Sequence, residues 1–129
     1  MTNPVAGFVM LAAAAMHWWM FVQESILFAR HSKTQRMVGV APAAVQAVQL
    51  WAFHQGVYNL LLGALGATGS LFLLLGHTAT GTALFVAAAV SMIAAAGALL
   101  AVDRRRQRLP GFAAQALPAI IALTALLAP

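Results

Sequence analysis

The chain carries only two acids, Glu24 and Asp103, and four histidines, so its acid–base chemistry has few places to reside. Glu24 interrupts an apolar run that begins at Val5 and resumes through Ala29. His17 stands two α-helical turns before it, which sets both on one face about 10 Å apart along the axis. A second concentration of polar groups is Trp51-Ala52-Phe53-His54-Gln55-Gly56-Val57-Tyr58-Asn59. On a helical wheel Trp51, Gln55, Tyr58, Asn59 and Leu62 share a face, with His54 beside them. Gln115 and Ser91 are polar groups of the later apolar runs that fall at comparable depth. In such a set Glu24 would act as acid or base, and His17 or His54 would relay a proton. Gln55, Tyr58, Asn59 and Gln115 would hold the polar group of an otherwise apolar molecule, with Trp51 against it. Isomerisation or epoxide-type chemistry would need no more than this, and the sequence implies no particular cofactor. His17, His54 and Glu24 lack the HxxxH or HExxH spacing of a metal site, and cysteine is absent, so no metal is expected.

These residues sit in a chain of unusual composition. Of 129 residues, 63% are hydrophobic and 7% charged, against roughly 25% charge in soluble domains. Mean hydropathy is +0.89. A soluble fold this small could not cover so much apolar surface. An integral membrane protein, with the lipid bilayer as its main partner, is what this composition leaves. The net charge of +5 does not indicate nucleic acid. The seven basic residues form two short clusters that bracket apolar runs: Arg30, Lys33 and Arg36, then Arg104, Arg105, Arg106 and Arg108. That is the pattern of a topology signal.

One all-α membrane domain over residues 1–129 follows, a bundle of four transmembrane helices at about 4–29, 43–75, 83–102 and 111–128. Asn3 suits the cap and Pro4 the first turn of the first helix. Residues 37–102 contain no Lys, Arg, Asp or Glu and must fold back once; residues 76–82 have the densest turn chemistry. The second helix is over-long and is expected to tilt, kink or break near residues 66–70. Pro118 falls inside the fourth helix. Both basic clusters occupy connections on one side, which the positive-inside bias assigns to the cytoplasm of a cell membrane, leaving both termini outside.

Depth, counted at about 1.5 Å per residue, brings polar groups of all four helices into the cytoplasmic half. His17, Glu24, Gln55, Tyr58, Asn59 and Gln115 are therefore expected to point inward as one cluster. A hydrogen-bonded lock on helix register, a pocket for a small apolar ligand, and a proton or ion path remain open readings of it. The first makes the chain a structural or accessory subunit. Transport would require several copies, since one copy holds no inverted repeat, so a homo-oligomer is a candidate assembly.

Three motifs, His17-x6-Glu24, Gln55-Gly56-x-Tyr58-Asn59 and Gln115-x2-Pro118-Ala119, resemble an uncharacterised "domain of unknown function" family of small bacterial and fungal membrane proteins. Its members read H-x6-E, NQGxYN and Q-x2-PA. His54 stands where the family usually has Asn. The resemblance covers nearly the whole chain and implies four helices and a membrane location, without an activity to carry over.

Overall fold

The computed structural model describes residues 4–104 and 106–128, and every element among them is helical. Helix α1 is Pro4–Phe21 and runs on as a π-helical turn, Val22–Leu27. A short α2, Ser32–Met37, precedes a 3-10 turn at Pro42–Ala44 and the long α3, Val45–Leu74. Then come α4, Thr78–Val102, a 3-10 turn at Arg106–Arg108, and α5, Leu109–Leu127. The stretches Pro4–Leu27, Pro42–Leu74, Thr78–Val102 and Leu109–Leu127 are each long and apolar enough to cross a membrane. Asn3 and Arg105 lie outside the described residues.

The two glycines with positive φ end helices. Gly76 (φ 83°) closes α3: the His77 amide donates to the Phe72 carbonyl at 2.8 Å and the Gly76 amide to Leu73 at 3.2 Å. Gly39 (φ 78°) closes α2 through Val40 to Gln35 at 2.8 Å and Gly39 to Arg36 at 3.0 Å. In both, a left-handed residue turns two amides back onto otherwise orphaned carbonyls. The Gly76 cap also corrects the expected turn. It needs so few residues that α4 starts at Thr78, inside the stretch read as a connection.

The chain divides into two compact units. One comprises the residues up to Met16 and those from Leu62 onward. Its core is Met10, Leu73, Phe85, Met92 and a set of alanines, among them Ala88, Ala89, Ala119 and Ala122. Small side chains let helix backbones approach closely in an apolar medium. The glycines of α3 extend that logic. A Cβ on Gly66 would stand 2.8 Å from the Met10 sulfur, and one on Gly69 would stand 2.6 Å from the Phe85 amide nitrogen. On α4, Gly81 meets the Leu73 backbone in the same way. Of the tilt, kink or break expected near residues 66–70, the break is absent: α3 is helical without interruption there. The glycines there make room for neighbouring helices while the backbone keeps its helical hydrogen bonds. Between α4 and α5, Arg108 donates from Nε to the Asp103 carboxylate at 2.8 Å, so one of the two acids holds the second basic connection.

The other unit, His17–Leu61, contains the end of α1, the π turn, α2 and the first half of α3.

Candidate functional site

The site is built inside the second unit, on the π turn. An i→i+5 winding lowers the angular step per residue below the α-helical value of about 100°. Three consecutive side chains thereby engage their surroundings at once. Gln23 accepts at Oε1 from the Thr34 hydroxyl at 2.9 Å, tying α2 back onto the turn. Glu24 accepts at Oε2 from the Asn59 Nδ2 at 2.8 Å. Ser25 donates from Oγ to the Phe53 carbonyl at 2.8 Å. The last carbonyls of such a segment have no partner within it, and Gln35 supplies one by donating from Nε2 to the Phe28 carbonyl at 2.8 Å. Higher on α1, the Trp18 indole donates to the Leu60 carbonyl at 3.3 Å.

Gly56 sets how closely the π turn and α3 approach. A Cβ there would stand 3.0 Å from the Ser25 amide nitrogen and closer still to its hydroxyl. Ser25 thus occupies the volume that any other residue at position 56 would fill. One helical turn further along α3, Asn59 is buried and in register with Glu24.

Beside this contact is a cleft of about 340 Å³, lined by Glu24, Ser25, Phe28, Ala29, Gln46, Gln49, Leu50 and Phe53. The wall on α3 is Gln46, Gln49, Leu50 and Phe53, an i, i+3, i+4, i+7 stripe. It presents two amides and two apolar side chains. The opposite wall presents one carboxyl, one hydroxyl, an aromatic ring and a methyl group.

Of the residues singled out by the sequence, Glu24 and Asn59 meet directly. His17 is buried, at 1% exposure. The π turn alters the phase between positions 17 and 24, so two α-helical turns no longer describe their relation. Trp51 and Tyr58 are exposed (70% and 66%), as are His54 and Gln55. The inward orientation expected of Gln55 and Tyr58 is therefore not adopted within this chain. The π turn covers the adjoining face, where Gly56 permits close approach, so the group drawn on the wheel is split: Asn59 at its edge is buried, and Trp51, Gln55 and Tyr58 stay outside. Phe53, on the cleft wall, is two residues and about 200° round the helix from Trp51. Gln115 lies half-buried in the other unit.

Sequence reasoning did not select Ser25, Thr34, Gln35, Gln46 or Gln49. Gln46 and Gln49 were detectable, since they open an i, i+3, i+4, i+7 stripe with Leu50 and Phe53. Thr34 and Gln35 carried no local signal, because their partners Gln23 and Phe28 lie in another element. Among the described residues no group of three or more His, Cys, Asp or Glu could hold a metal ion.

An all-helical chain with four membrane-length apolar helices and a carboxyl–amide pair between two of them is of the multi-pass membrane type. It belongs to the family described as Protein of unknown function (DUF1304), which it matches over residues 11–127. No curated protein and no solved structure shows a significant match to it.

Proposed function

We propose that this chain is a four-span membrane protein that binds a small, largely apolar molecule in the cleft beside Glu24 and exchanges a proton with its polar end. The observation that carries this reading is the position of the Glu24 carboxyl. One oxygen is held by Asn59, and the residue lines a cleft whose other polar members are Ser25, Gln46 and Gln49. A volume of about 340 Å³ falls at the small end of ligand pockets. Glu24 is the acid or base, Asn59 orients it, and the glutamine amides select the polar end of the ligand. Arg30, Lys33, Arg36 and the second basic cluster face the cytoplasm, with both termini outside.

The exposed face of α3 that carries Trp51, Gln55 and Tyr58 pairs with a second copy of the chain. Gln55 and Tyr58 each hold both a donor and an acceptor, so the face is complementary to itself across a twofold axis. Leaving these groups against hydrocarbon would cost several kcal/mol in total, on the order expected for unpaired amides and hydroxyls.

The competing reading is a structural subunit in which Glu24–Asn59 only locks helix register; it is favoured by the bonds from Thr34 to Gln23 and from Ser25 to the Phe53 carbonyl, which also bridge elements. Native mass spectrometry of the wild type and Glu24→Gln separates the two. The ligand reading expects a co-purifying small molecule that is lost from a still-folded Glu24→Gln. If Glu24→Gln retains the molecule and only melts earlier, Glu24 is a strut.

A further inference from the structure

Resting on that reading of the cleft, we infer that its ligand is an amphiphile whose polar end is a positively charged nitrogen. The eight lining residues include one acid and no base. Among the described residues, Oε2 of Glu24 accepts from Asn59 and the carboxylate has no cationic partner, so it retains acceptor capacity for a ligand. The remaining polar lining favours the same charge. Gln46 and Gln49 can turn amide oxygens toward N–H donors, and Ser25 has its hydroxyl proton committed to the Phe53 carbonyl, which leaves its oxygen to accept. Phe28 and Phe53 add aromatic rings, whose faces attract cations.

An anionic head would instead meet Glu24 with no compensating Lys or Arg in the lining, and like charges repel strongly away from bulk water. Arg30, Lys33 and Arg36 are exposed and outside the lining, where salt screens them over about 8–10 Å. The apolar share of the walls, Phe28, Ala29, Leu50 and Phe53, fits the first carbons of an alkyl chain rather than a compact hydrophilic amine. The chemical class is thus a long-chain amine that binds as its protonated ammonium form, with N–H groups to donate and a proton to exchange.

The test uses three probes of equal chain length and different head charge: decylammonium, decanol and decanoate. Each is titrated into the full chain in neutral-lipid nanodiscs, with empty nanodiscs subtracted for partitioning. The expected result is saturable binding of the ammonium probe at least tenfold tighter than decanol, and none of decanoate. Glu24→Gln should bring the ammonium probe to the affinity of decanol. Leu50→Trp, at an exposed cleft position, should weaken both, which keeps the cleft testable if Glu24→Gln fails to fold. Decanol binding as tightly as the ammonium probe, with both still sensitive to Leu50→Trp, would overturn the charge inference and leave the ligand site standing. Absence of saturable binding by any probe, or binding indifferent to both substitutions, would overturn the inference and the site together.

Discussion

Asn59 donates to the carboxyl of Glu24 at 2.8 Å across 35 positions of sequence, the side-chain-to-side-chain bond that, beside Ser25 on the Phe53 carbonyl, joins the π turn to α3. Hydrogen bonds between membrane helices contribute about 0.6–2 kcal/mol each. Asn59→Leu is therefore expected to lower stability by about 1–2 kcal/mol in the same terms. Glu24→Gln should lose less, since an amide can still accept from Asn59. A double-mutant cycle in thermal melts would check this. Additive losses for Glu24→Leu and Asn59→Leu would show that the bond carries no coupling.

Gly56→Ala should destabilise the same contact by about 1–3 kcal/mol, the usual cost of overpacking. Its new methyl would press on the Ser25 hydroxyl and amide. Adding Ser25→Ala removes the hydroxyl but not the amide, so rescue should be partial. Gly97→Ala is the control: a Cβ there meets nothing within 4 Å, and helix propensity favours alanine by about 0.5–1 kcal/mol. A full rescue by Ser25→Ala would contradict the backbone part of the argument.

In the other unit the glycines should rank by what their missing Cβ would meet. At Gly69 and Gly81 it is backbone, at 2.6 and 2.7 Å, and backbone cannot step aside. At Gly66 the nearest atom is the Met10 sulfur, at the end of a flexible side chain. Gly69→Ala and Gly81→Ala should lower the melting temperature clearly more than Gly66→Ala. Equal effects would mean that these helices can slide apart.

The proposed topology is testable because the chain has no cysteine of its own. Single cysteines at Lys33 and His77 should label from opposite faces of the membrane, Lys33 from the cytoplasm. Labelling of both from one face would reject the four-span arrangement.

Pairing through α3 predicts disulfide-linked dimers from Gln55→Cys or Tyr58→Cys under mild oxidation. Leu60→Cys, about 200° round the helix from Tyr58, should remain monomeric. Linking from Leu60→Cys alone would place the contact on the wrong side.

The sequence by itself determined the class of this protein. Long uncharged runs dictate helices of membrane length, because in hydrocarbon a backbone must satisfy its own hydrogen bonds and only a helix does so within one segment. It also picked out Glu24 and Asn59, since an acid and an amide in apolar runs need partners. What the tertiary structure decided is which partners they take. Helical periodicity gives the angle of each side chain but not which face a neighbour will cover. Gly56 supplied that choice by admitting Ser25, which brought Glu24 to Asn59 and left Trp51, Gln55 and Tyr58 outside. The π turn was likewise invisible, because a change of winding is set by contacts from Thr34, Asn59 and the Phe53 carbonyl, all remote in sequence. The cleft exists only where Gln46 and Phe53 on α3 come opposite Glu24 and Phe28. That juxtaposition is a property of the packed pair, and neither segment encodes it alone.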